Sequence, residues 1–399
     1  MTEQATSTPL LPRRVGILGG GQLALMLALA AQQRGCAVSV LTPDPSAPAV
    51  VAGVDLIVGQ LGDARAVSQL VGESDAVIIE SEFVDPTTLD STAQAKFVPG
   101  AKAIRVAQDK LAQKRLFLAL GIPTADFTEV EPEIDAAELQ RLSERYPRGY
   151  VLKWSRGGYD GRGNFVVRGA VDLCALAPFL EHAKQAGAQI YAEALVSFKR
   201  ELAMVATRSA DGGEEAFFPL VITEQERGVC REVFGPATAF GVSPGIEADV
   251  RSMMLSIASA LDLTGTFALE LFLTEDGQLV ANELAPRVHN SGHYTLWDDG
   301  PSQFDLHIEA ALGLPLSQPT QDGLVLMRNL LGTQTRVAIA PTQGCLPDAC
   351  KLQWYGKLRE FPGRKMGHVT GRARDLAELE ALRTQLAHYE WALAAERVA

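Results

Sequence analysis

The stretch that most constrains this chain runs from Ala268 to His293, ALELFLTEDGQLVANELAPRVHNSGH. Phe267, Leu269, Leu271 and Leu273 alternate with Ala268, Glu270 and Phe272, the period of a strand with one buried face. Asp276-Gly277 is a strong two-residue turn signal, and Leu279, Val280 and Ala281 supply the return strand. With Asp276 and Gly277 as the loop, Glu270 lies directly opposite Glu283. Directly opposed residues have Cβ atoms about 4.5–5.5 Å apart. Two carboxylates that close repel, and one is driven toward protonation unless a cation lies between them. Carboxylates shared with substrate phosphates are the usual way to hold Mg²⁺. Two solvated glutamates on an edge hairpin, or a loop of another length, are the plain alternatives. The continuation through Asn282, Pro286, Arg287, Val288, His289, Asn290, Ser291, Gly292 and His293 favours the metal reading. A polar, cationic run leaving a buried strand calls for an anionic occupant.

At 399 residues the chain can hold two or three domains with a sizeable core. Hydrophobic content of 47% and charged content of 21% are those of an ordinary soluble globular protein. The net charge of −12 argues against general nucleic-acid binding but leaves room for a local basic pocket. Cys36, Cys174, Cys230, Cys345 and Cys350 are odd in number and lack CxxC spacing. They read as reduced, buried thiols of a cytoplasmic protein rather than a disulfide frame or zinc site. Residues 1–12 read as a flexible tail without the apolar core of a signal peptide. No apolar run is long enough for a membrane span.

Taken in order, Arg14 to Leu18 is a short apolar strand, followed by Gly19-Gly20-Gly21-Gln22-Leu23, a helix over Ala24–Arg34 and a strand over Ala37–Leu41. This is a Rossmann-type opening. The glycine turn admits a dinucleotide, with Asp44 after the second strand, or a tight structural turn, or a phosphate of another ligand at the helix N-terminus. Val54–Val58 and Ala76–Ile79 read as further parallel strands. The second runs into Glu80 and Glu82, at the sheet end where open α/β folds bind ligands. Asp109 caps a helix that ends at Gly121 and links to a new domain. Tyr150–Trp154 is a strand carrying Lys153, and Gly157, Gly158, Gly161 and Gly163 make the next loop a candidate flap over phosphates. It is not a Walker loop, because the GK[ST] ending is missing. Glu193 and Glu201 could accept hydrogen bonds from a nucleotide or simply be surface glutamates. Ala248–Leu261 is a helix. Lys357, Arg359, Arg364 and Lys365 concentrate positive charge and suit a phosphate monoester, with a solvated basic turn as the alternative. Asp375–Val398 reads as an amphipathic helix.

Three separated segments, GGYDGRG at 157–163, NELAPRVHNSGH at 282–293 and PGRKMGH at 362–368, resemble the N5-carboxyaminoimidazole ribonucleotide synthetase family of the ATP-grasp superfamily. GQL at 21–23, Glu80 with Glu82, and LAQKRLF at 111–117 extend the resemblance over nearly the whole chain. It implies an α/β ATP-grasp fold: a Rossmann-like domain at 13–109, a small α+β lid at 110–191 and a larger α+β domain at 192–399. Lys110 and Lys153 would contact ATP phosphates, with Gly158, Tyr159, Asp160, Gly161, Arg162, Gly163 and Asn164 as the flap. Glu193, Ala194, Leu195 and Val196 would meet adenine and Glu201 the ribose. Glu270 and Glu283, with Asn282 nearby, would hold Mg²⁺. Tyr159, Asp160, Arg162, Arg287, His289, Asn290 and Ser291 would surround the reacting centre. Gln22, Leu23, Glu80, Glu82, Lys357, Arg364 and Lys365 would bind the substrate. Arg156, Asn164 and Gln225 depart from the family pattern, Gln225 at a position near the nucleotide where histidine is common. Phe361-Pro362 replaces the Arg-Pro of some members.

The expected activity is ATP-dependent carboxylation of 5-aminoimidazole ribonucleotide by bicarbonate, with Mg²⁺, in purine biosynthesis. The expected protein is a cytoplasmic homodimer that binds small molecules and neither nucleic acid nor membrane. The alternatives are a formate-dependent glycinamide ribonucleotide ligase, a non-catalytic nucleotide-binding regulator and an NAD oxidoreductase.

Overall fold

The first four expected strands form one parallel sheet in the computed structural model, completed by a fifth at Phe97–Val98. The structure describes residues 14–81, 91–131, 134–158, 163–169, 173–226, 228–297, 300–320, 322–341 and 346–396. The expected tail at 1–12, Glu82, the flap residues Tyr159, Asp160, Gly161 and Arg162, and Cys345 lie outside them. Across the sheet the strands run Asp55–Val58, Ala37–Thr42, Arg14–Leu18, Ala76–Ile79 and Phe97–Val98. The strand order reverses between Arg14–Leu18 and Ala76–Ile79, and Gly19–Gly21 and Glu80 stand at that crevice. The helix Gln22–Gln33 is buried almost all round, because it packs on the sheet and, through its other side, on the helix Gln303–Ala311.

A small antiparallel sheet follows, in the order Phe127–Val130, Ile190–Ala194, Tyr150–Trp154 and Asn164–Val167. It has its own core with the helices Ala136–Arg145 and Leu173–Gln185, built on Leu139, Leu142, Tyr150, Leu152 and Leu176. The boundary expected between residues 191 and 192 falls inside the strand Ile190–Ala194, so this unit runs through Ala194. The helix Lys110–Ala119 buries Phe117 in the core of the large sheet, not of the small one. Asp109 caps it as expected, its side chain accepting from Leu111 N and Ala112 N.

Among the described residues the large sheet has nine strands, with the hairpin Gly265–Thr274 and Leu279–Ala285 at one edge. One face packs on the helices Pro244–Leu261 and Leu376–Glu396, through Val250, Met254, Ile257, Leu379, Leu382 and Leu386. The first of these helices starts four residues before the expected Ala248. Ser243 caps it and Pro244 occupies its first turn, both ordinary start signals. The other face packs on Gln303–Ala311 through Leu306 and Ala310. Phe304 and Ile308 of the same helix join the core of the first sheet with Val288 and Tyr355. Arg34 ties the joint with ion pairs of 2.6 Å to Asp305 and 2.7 Å to Glu309. Among the described cysteines Cys36 and Cys350 are buried as expected, Cys230 is half-buried and Cys174 is exposed.

Candidate active site

Glu270 is paired with Glu283, as the hairpin reading requires, but the route to that register differs. Thr274 N donates to Gln278 O and Gly277 N to Thr274 O, so the loop is Glu275-Asp276-Gly277. Gly277 takes a φ of +84°, the left-handed residue of a three-residue hairpin loop. One extra loop residue displaces the register by one. A bulge between Glu270 and Leu271 restores it, since Leu271 pairs with Ala281 and Glu270 with Glu283. Asn282 is the inserted residue. Ala281 and Leu284 both lie in the core, three positions apart, so the bulge turns Asn282 and Glu283 together toward the opposite face. That face also presents Glu270.

The edge of this strand is closed by the helix Lys110–Ala119 and the segment after it. Gln113 Oε1 accepts from Leu284 N at 2.7 Å, and Ala281 N donates to Pro123 O at 2.7 Å. The same helix sends Lys110 Nζ to Glu283 Oε2 at 2.8 Å. From the small sheet, Lys153 Nζ lies 3.3 Å from both carboxylate oxygens of Glu193. Lys114 Nζ lies 3.2 Å from Glu193 Oε2. The Glu193 side chain is therefore held between two lysines. Any adenine contact by this residue falls to its backbone, next to half-buried Ala194, Leu195 and Val196.

The two opposed carboxyl groups titrate apart. Burial, then Glu283 and Glu201, push Glu270 up to about 7. Burial also raises Glu283, but Lys110, with Lys153 and His289, together outweigh it and hold Glu283 below the ordinary carboxylate range. Glu270 thus lacks the compensation Glu283 has, which is the electrostatic setting for a divalent cation. Among the described residues no group of three His, Cys, Asp or Glu side chains could hold a metal. Two carboxylates alone suit Mg²⁺, which keeps waters and shares substrate phosphates.

His289 Nε2 is 3.6 Å from Glu270 Oε1. Ser291 N donates to His289 Nδ1 at 3.3 Å and the Ser291 hydroxyl lies 2.9 Å from it, so Ser291 orients the ring. Gln303, fully buried, accepts from His289 N at 2.8 Å and donates to His289 O at 2.7 Å. Asn290 and buried Asn329 exchange amide hydrogen bonds of 3.0 and 2.7 Å. The Asn290 amide is thus engaged in bracing the loop rather than pointed free at the reacting centre.

At the crevice of the first sheet, Glu80 fills the glycine turn. Its carboxylate accepts from Gly21 N at 3.2 Å. A Cβ on Gly19 or Gly21 would stand 2.2 or 2.3 Å from its oxygens, so the turn is built around this side chain. Burial raises Glu80, against the pull of the Gly21 amide and of Arg287. A carboxylate at that helix N-terminus occupies the place a dinucleotide phosphate would take. Asp44, the other element of that reading, is bonded to Ser46. Gln22 is half-buried at the helix start, whereas Leu23 is a core side chain. Lys357 Nζ donates to Lys365 O at 2.6 Å and acts electrostatically on Glu80, Arg364 on Asp44 and Lys365 on Glu270. The basic cluster therefore spans from the glycine turn to the glutamate pair.

Family models match along the whole arrangement: a ribonucleotide synthetase preATP-grasp domain over residues 13–108, an ATP-grasp domain over 115–304 and a phosphoribosylaminoimidazole carboxylase C-terminal domain over 325–382. The chain is 37% identical over 369 residues to the N5-carboxyaminoimidazole ribonucleotide synthase of Synechococcus elongatus, covering 90% of this chain and 89% of that one. It is 36% identical to that of Bacillus subtilis over 358 residues, 89% of this chain and 90% of that one. This chain belongs to the N5-carboxyaminoimidazole ribonucleotide synthase family. The family's enzyme from Aspergillus clavatus, solved with ADP and 5-aminoimidazole ribonucleotide, superposes with a TM-score of 0.81 at 34% identity, covering 95% of this chain and 98% of that one. The Thermus thermophilus synthetase does so with a TM-score of 0.79 at 35% identity, over 94% and 98%.

In this member of the synthase family, Gly158 and Gly163 flank the flap residues that lie outside the described structure, and Asn164 is exposed opposite Lys153. Arg156, also exposed, pairs with Asp109 at 3.2 Å. Glu201 is raised to about 7 by burial, opposed by a hydrogen bond from Gln225. The departure at Gln225 therefore sits directly on Glu201. Sequence reasoning assigned no role to Lys114, Gln113, Gln303 or Asn329. All four are buried, and only their partners in distant elements say what they hold.

Proposed function

We propose that the protein is an ATP-dependent carboxylase of 5-aminoimidazole ribonucleotide. It uses bicarbonate and yields ADP, phosphate and N5-carboxyaminoimidazole ribonucleotide, a step of purine biosynthesis. The observation that carries the reading is the opposed pair Glu270 and Glu283, with Lys110, Lys365 and His289 acting on it. Lys110 and Lys153 take the phosphates of ATP, under a flap of residues 158–164. Ala194, Leu195 and Val196 meet adenine, and Glu201 with Gln225 the ribose. Glu270 and Glu283, with Asn282 beside them, hold Mg²⁺, which when bound neutralises charge on the transferred phosphoryl group.

A bicarbonate oxygen forms a bond to the γ-phosphorus as the bond to the β-bridging oxygen breaks and ADP departs. The product, carboxyphosphate, is activated and labile in water, so the flap must exclude solvent. Arg287 and His289 orient the bicarbonate, with Ser291 and Asn290 fixing the loop that carries them. The exocyclic amine then attacks the carbon of carboxyphosphate, whose C–O bond to phosphate breaks as phosphate leaves, or the carbon of CO₂ after the same bond has broken. Asp160 takes the amine proton, with Tyr159 and Arg162 beside it. Lys357, Arg364 and Lys365 hold the ribose phosphate, near Gln22, Leu23, Glu80 and Glu82. We read the enzyme as a cytoplasmic homodimer, and a light-scattering mass near twice 42.8 kDa is the check on the dimer.

ADP release by purified protein with Mg·ATP tests the reading. Release is expected to need both bicarbonate and 5-aminoimidazole ribonucleotide. Release with formate and glycinamide ribonucleotide instead would assign the sister ligase.

A further inference from the structure

The Glu193 carboxylate has two cationic partners, and the reaction as proposed uses only one of them. Lys153 reaches it from the strand Tyr150–Trp154, and Lys114 from the helix Lys110–Ala119. Glu193 and Lys114 are 3% and 1% exposed. The Lys114 ammonium is fixed independently of Glu193. It donates to Thr124 Oγ1 at 2.9 Å and to Ala281 O at 3.4 Å. Thr124 Oγ1 donates to the same carbonyl at 2.8 Å. Ala281 belongs to the strand that carries Asn282 and Glu283. Lys114 thus stands at the joint between the small sheet and the large one.

To serve ATP, the Lys153 ammonium must give up part of its hold on Glu193. A buried carboxylate left without a partner is strongly destabilising, so Glu193 alone would hold Lys153 back. We propose that Lys114 is a positioning residue for nucleotide binding: it retains the charge of Glu193 and so releases Lys153 to the phosphates. Burial and the neighbouring Lys153 pull Lys114 down to about 8, while Glu193 and Glu283 pull it up, so the ammonium stays charged at neutral pH. This role rests on the ATP-binding reading above and on the geometry of the three side chains.

The test is the affinity for a fluorescent ATP analogue, with KM for ATP and kcat, in the unmodified protein, Lys114→Met and the double variant Lys114→Met/Glu193→Gln. Methionine keeps the length of the lysine stem within the apolar surroundings. Lys114→Met is expected to weaken the analogue and raise KM for ATP about tenfold, with kcat at saturation changed by less than about threefold. In the double variant no unpaired carboxylate remains to hold Lys153 back, so affinity is expected to return to within about threefold of the unmodified protein. That expectation stands even if the single variant folds poorly, because the double variant is compared with the unmodified protein directly. Unchanged affinity in Lys114→Met, or a double variant still about tenfold weak, would overturn the proposal. If the unmodified protein itself failed to bind the analogue, the ATP reading would fall, and this role with it.

Discussion

Glu270 lies opposite one carboxylate, near another and within reach of His289 at 3.6 Å. Its raised value, about 7, has the signature of a ligand group whose counter-charge arrives with the substrate. Glu270→Gln keeps the shape and removes the charge. It is expected to lower Mg²⁺-dependent ADP formation by at least about 100-fold, and a variant with near-normal turnover would remove Glu270 from the metal site. Glu201 permits a cleaner pH experiment, because burial raises it to about 7 from an ordinary 4.5. Between those values the unfolded chain has released a proton that the folded protein still holds. Stability contributed by this group is therefore full below about pH 4.5, falls as pH rises through about 7 and stays low above it. Nucleotide-free Glu201→Gln is expected to melt like the unmodified protein near about pH 4 and at a higher temperature near about pH 8. An equal shift at both would contradict the raised value.

The hairpin Gly265–Thr274 and Leu279–Ala285 shows what period-two reasoning can and cannot reach. The alternation of Phe267, Leu269, Leu271 and Leu273 and the Asp276-Gly277 turn signal were enough to bring Glu270 opposite Glu283. The expected two-residue loop was one residue short, and the bulge at Asn282 compensated. Neither irregularity leaves a mark in the pattern, since each shifts register by one and the two cancel. Lys114 was illegible for another reason. On its own helix it is one more polar position, and it is buried by Thr124 and by Ala281, a strand residue far along the chain. Deletion of Asn282 tests the bulge as an element. It leaves the pairing of Glu270 with Glu283 available but removes the turn that presents Asn282 and Glu283 together. The shortened protein is expected to fold, with Mg·ATP affinity reduced about tenfold or more, and an unchanged affinity would show that the bulge has no part in the site.

At the scale of the molecule, the site joins side chains from the parallel sheet, the small sheet and the large sheet. The helix Gln303–Ala311 makes that possible, packing Phe304 and Ile308 into one core and Leu306 and Ala310 into another. It holds the His289 loop against the crevice of the first sheet, while the small sheet keeps a separate core. The parallel opening and the family motifs made this architecture legible. Core membership around residues 110 and 192 is less legible, because it is set by contacts between distant segments. In the proposed reaction, phosphoryl transfer inside this junction activates bicarbonate. Bicarbonate labelled with oxygen-18, supplied with Mg·ATP and 5-aminoimidazole ribonucleotide, reports on that step through the mass of the released phosphate. Attack of bicarbonate on the γ-phosphorus leaves one labelled oxygen in each phosphate formed. One labelled oxygen per phosphate is expected, and unlabelled phosphate alongside carboxylated product would rule out phosphoryl transfer to bicarbonate.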